Sequence, residues 1–122
     1  MAVFKKRKLS GSTDGLPIKV VATATAGTTI HQAVAGTTAG TFDEIWLFAF
    51  NSSAAAVTLT VEYGGASVPD QNIVCTLAAQ SGLQLIVPGL ILQNALYVKA
   101  FASSANVITI SGWVNYVTDG TS

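Results

Sequence analysis

The sequence has 122 residues, half of them hydrophobic and 10% charged, with six Lys plus Arg balanced by six Asp plus Glu. Soluble domains carry about 25% charged residues, so this chain is long enough for one cored domain, too short for two, and too apolar and neutral for a disordered one. Six of its twelve charges fall within the first 19 residues, and the polarity of the rest comes from 31 Thr, Ser, Asn and Gln residues.

Residues 1–16 join the basic cluster Lys5-Lys6-Arg7-Lys8 to the polar stretch Ser10-Gly11-Ser12-Thr13-Asp14-Gly15 without periodicity. That pattern predicts a flexible basic arm ahead of a β-domain over 17–122. A secretory leader needs an apolar segment after its charges, and here a polar one follows, so no export signal is expected. From Pro17 onward, short runs rich in Val, Ile, Thr and aromatics alternate with Gly, Asn, Ser and Pro. They predict strands at 18–26, 28–35, 43–51, 56–63, 72–77, 83–87, 91–102 and 106–117. The longest apolar runs, Ile45 to Phe50 and Ile86 to Leu92, fall far short of the roughly 20 residues of a membrane span.

Three runs say more than their length. In 56–63, Val57, Leu59, Val61 and Tyr63 alternate with Thr58, Thr60 and Glu62, the period of a strand with one buried face. In 43–51 both faces are apolar: Ile45, Leu47 and Ala49 on one, Trp46, Phe48 and Phe50 on the other. One sandwich covers only one of them. In 106–117, Trp113 stands among polar neighbours, which predicts a cover from outside the core. Trp46, Phe48, Phe50 and Trp113 are therefore the expected oligomer interface. Pro88-Gly89 and Asn94 argue against a helix over 84–97. All told, the pattern predicts an all-β, two-sheet antiparallel sandwich, jelly-roll-like, of about eight strands.

Titratable chemistry is sparse. One His and one Cys exclude a zinc site in practice. His31 reads as a satisfied surface or interface residue and Cys75 as a small core hydrophobe, with nothing to bring them together as a nucleophile and base. Asp43 and Glu44 are adjacent in a strand, so they point to opposite faces and cannot flank one bond. They read as a solvated junction. Asp70 reads as part of a turn rather than a calcium loop. No phosphate-binding Gly motif appears, since Gly36-Thr37-Thr38-Ala39-Gly40 lacks a Lys. No enzyme, metal or cofactor is expected. Beyond residue 19 one base faces five acids, which disfavours nucleic acid, and no amphipathic helix serves a membrane anchor. Lys5, Lys6, Arg7 and Lys8 remain as a docking element for an acidic surface.

The stretch Phe42-Asp43-Glu44-Ile45-Trp46-Leu47-Phe48-Ala49-Phe50-Asn51-Ser52-Ser53, with Val57-Thr58-Leu59-Thr60-Val61-Glu62-Tyr63-Gly64-Gly65 and Val87-Pro88-Gly89-Leu90-Ile91-Leu92-Gln93-Asn94, resembles small structural proteins of tailed-bacteriophage virions. Capsid decoration, or cement, proteins are the nearest in style. The resemblance implies a β-sandwich or jelly roll, commonly trimeric, that binds the major capsid protein on the outside of an assembled head and stiffens the shell. It also implies assembly in the host cytoplasm and an N-terminal arm that reaches the lattice. No functional residue pattern carries over beyond this. A different class, a carbohydrate or host-surface binding module of a phage fibre, would use Trp46, Trp113, Tyr97 or Tyr116 as sugar platforms.

Overall fold

The structure, a computed structural model, describes residues 3–118. Among these residues it holds nine strands and no helix: β1 (Val3–Lys8), β2 (Ile18–Lys19), β3 (Thr28–Gln32), β4 (Phe42–Asn51), β5 (Val57–Tyr63), β6 (Asn72–Leu77), β7 (Gln84–Leu92), β8 (Tyr97–Ala102) and β9 (Ile108–Thr118). All pairings are antiparallel. One sheet runs β1-β9-β4-β7, with β2 also beside β9, and the other runs β3-β8-β5-β6. The expected two-sheet sandwich is the observed architecture.

The core follows from the period of two. From the first sheet Ile45, Leu47 and Ala49 of β4, Val87 of β7 and Ile108, Ile110 and Val114 of β9 point inward. From the second come Ile30 of β3, Val57, Leu59 and Val61 of β5, and Val98, Ala100 and Ala102 of β8. Each large aliphatic side chain removed from water here contributes about 2 kcal/mol. Cys75, expected within the core, sits half-buried on β6 against it, and burial pushes its thiol pKa up.

Three predicted runs differ most from the observed strands. The run 18–26 leaves the sheet after Val20, whose N–H donates to Ile108 O, because the chain then crosses to the other sheet, where Ala102 N–H donates to Ala22 O. The run 91–102 breaks at Asn94 and Ala95, both at positive φ. Pro88 does not end its strand. β7 is an edge, where a missing N–H costs no ladder bond, and the Gly89 bulge with φ 78° absorbs the extra residue.

The largest correction concerns the flexible arm. Val3–Lys8 form β1, in register with β9 from Val3↔Thr118 to Lys8↔Trp113. Leu9 is 1% exposed in the core, and Gly11 N–H donates to Ile30 O. From Val3 to Leu16 the segment is therefore ordered structure, while Met1 and Ala2 lie outside the described residues. Alternation is invisible in β1 because the strand overhangs the sandwich and both faces of Lys5 to Lys8 meet water.

Candidate association surface

The outer face of the five-stranded sheet gathers the expected interface residues in cross-strand rows. Phe4, Val117 and Phe42 form one row; Lys6, Asn115, Glu44 and Ile91 the next; Lys8, Trp113, Trp46 and Pro88 the third. Ser111, Phe48 and Leu85 follow, then Thr109 and Phe50. The face thus grades from basic at the β1 edge, through aromatic at its centre, to aliphatic at the β7 edge.

Trp113 is the hub. Its ring stacks on Trp46 at 5.8 Å between centroids and on Phe48 at 5.8 Å, and Lys6 Nζ lies 4.5 Å from its ring centre. Each aromatic pair contributes about 1 kcal/mol beyond area burial. The expected cover over Trp113 is thus partly supplied from within the chain, by β1 and β4. Phe50 lies half-buried at the end of the face and joins neither stack. Trp46 Nε1–H and Asn115 Nδ2–H donate to Glu44 Oε1 at 2.8 and 2.9 Å, and these two bonds hold the Glu44 pKa below its usual value. Two glycines permit the close fit. A Cβ on Gly112 would strike Trp46 O, and one on Gly89 would meet the Trp46 indole at 2.8 Å.

Large apolar side chains remain in water around the aromatic centre. Phe4 is 68% exposed, Ile91 56% and Leu83 62%, with Leu85 half-exposed. A groove of about 480 Å³ on this face is lined by Phe48, Leu83, Ser111, Gly112, Trp113 and Gly15. An exposed apolar patch rimmed by polar groups marks an association site.

Lys5, Lys6, Arg7 and Lys8 come together on β1, all exposed. They do not form one tail. Lys6 and Lys8 flank the aromatic face, whereas Arg7 lies 4.3 Å from the Tyr116 ring on the opposite side of the strand.

The chain matches no protein-family model, no curated protein and no solved structure.

The remaining polar residues resolve into structural roles. His31, expected as a satisfied surface or interface residue, is hydrogen-bonded but buried within the chain. Ser10 N–H donates to its Nδ1 at 3.0 Å, so Nε2 carries the proton and donates to Asp43 Oδ2 at 2.7 Å. Asp43 Oδ2 also accepts from Val34 N–H. Asp43 and Glu44 do point to opposite faces, but the inward one is buried rather than solvated. The pair fastens the segment after β1 to both sheets. Below it, burial first and the Asp43 charge second drive the Tyr63 phenol pKa far up. Cys75 is remote from His31, since β6 and β3 are opposite edges of one sheet, roughly 14 Å apart at strand spacing. Among the described residues no group of three His, Cys, Asp or Glu could hold a metal.

Sequence reasoning missed the Ser10-His31-Asp43 link, because nothing local reveals a pairing across two sheets. It also missed the apolar β7 edge, because two register shifts along β7 break the period that would have placed Leu85 and Ile91 on one face.

Proposed function

We propose that this chain is a structural protein of a virion, which associates with copies of itself and attaches to the outside of an assembled phage head. The observation that carries the reading is the outer sheet face, where a stacked Trp46-Trp113-Phe48 centre continues into exposed Leu83, Leu85 and Ile91. Homo-oligomers close by symmetry, and such faces are what they bury. The resemblance of the β4, β5 and β7 segments to capsid decoration proteins favours a trimer and the major capsid protein as partner.

The strand order supports the same reading. Orders β2-β9-β4-β7 and β3-β8-β5-β6 are compatible with the expected jelly roll, two Greek keys wound together, an architecture found among viral capsid and lectin domains. That support is an analogy of fold. β1 supplies the electrostatics, an exposed edge carrying four cations whose attraction to an acidic shell is weakened by salt.

Co-sedimentation with emptied phage heads tests this. Saturable binding is expected, and replacing Lys5, Lys6, Arg7 and Lys8 by Gln lowers it at least tenfold at low salt while the fold survives. Absence of binding by the wild type at micromolar concentration overturns the reading. Deleting the segment is a poor test, since it removes a paired strand and the core residue Leu9.

A further inference from the structure

A second concavity lies on the opposite sheet, away from the aromatic face. It is a cleft of about 250 Å³ bounded by the 20–27 crossing segment, the end of β5 and the start of β8. Its walls are backbone and methyl groups, with Ala26, Gly64, Gly65, Ala66 and Ala95 among its lining residues. The space at Gly65 is taken by the Gln71 side chain, and Gly64 holds φ 81°. The small residues keep the cleft open.

Three side chains give it chemistry. Glu62 is 3% exposed, its Oε2 accepting from Thr25 Oγ1–H at 2.8 Å and its Oε1 from Gly27 N–H at 2.7 Å. Among the described residues no cation pairs with it. Each carboxylate oxygen accepts one bond from the protein and has capacity for another. Lys99 is the cross-strand neighbour of Glu62, and its Nζ lies 5.2 Å from the ring centre of Tyr97. Tyr97 is 42% exposed, and Leu96 beside it is exposed as well.

From this geometry we infer that the cleft binds a single neutral sugar residue. One carboxylate and one ammonium leave the lining with no net charge, so an anion or a cation gains from one group what it loses to the other. Hydroxyl groups both donate and accept, so a polyol satisfies Glu62 and Lys99 together. The apolar C–H face of a pyranose suits the Tyr97 ring and Leu96. The volume equals roughly eight waters of liquid, room for one ring. An open site of this size predicts a dissociation constant on the order of 1 mM for the free sugar.

The test is saturation-transfer NMR on the full chain with neutral hexoses, N-acetylhexosamines and sialic acid, each at several concentrations. At least one neutral sugar binds, and sialic acid does not compete with it. Tyr97→Ala removes the platform and Ala66→Trp fills the cleft; both positions are exposed, so the unfolding midpoint stays put while sugar binding falls at least tenfold in each. No binding by any neutral sugar, preference for sialic acid, or binding that survives both variants overturns the inference. Oligomer mass and head binding stay unchanged in both variants, so a failure here is separate from a failure of the proposed function.

Discussion

At the scale of single residues, the sandwich is held by polar groups used as fasteners. Asp43 illustrates the cost of losing one. Asp43→Ala strips the acceptor from His31 Nε2–H and Val34 N–H in a buried setting, and the predicted loss is about 3 kcal/mol. Urea unfolding measures it, and Asp43→Asn, which keeps one carbonyl acceptor, falls in between. Glu44 makes a different prediction. Its folded-state pKa lies below the ordinary 4.5 because Trp46 and Asn115 donate to the charged form. A depressed carboxylate stabilises the fold above its unfolded pKa, and that contribution disappears as pH falls through the folded value. The Trp46 indole N–H resonance should therefore titrate with a midpoint below 4.5. Glu44→Gln removes the movement.

At the scale of elements, legibility depended on whether a strand carries its signal in its own residues. β4 was readable because both faces alternate between aliphatic and aromatic, and β5 because Thr and Glu mark its outer side. β1 was unreadable, since a strand that overhangs the core and meets water on both faces shows no period. β7 was half readable: its Pro argues against a central strand, and only the sheet order reveals that the strand is an edge. Of the outer sheet face, the exposed side of β4 with Trp46, Phe48 and Phe50 was legible, whereas its row-by-row contact with β9, β1 and β7 depends on register, which no single sequence states. The β4-β9 contact depends on Gly112. A methyl there runs into the Trp46 carbonyl, so Gly112→Ala must push the two central strands apart. Overpacking of this kind costs about 3 kcal/mol, and the Trp46 and Trp113 rings should lose their stacked near-ultraviolet circular dichroism with it.

At the scale of the molecule, low charge and exposed apolar area both fit the proposed association between copies. Twelve charges in 122 residues are few, and four of them line β1, beside a face whose centre is aromatic and whose far edge is aliphatic. A monomer would leave Phe4, Leu83, Leu85 and Ile91 in water. The proposed shared surface between copies would remove them. Mass by light scattering at micromolar concentration tests this most directly. The account predicts a closed oligomer, a trimer, that reverts to a folded monomer when exposed Leu85 and Ile91 are both replaced by Ser; a wild-type protein that is monomeric, or whose mass ignores those two substitutions, contradicts it.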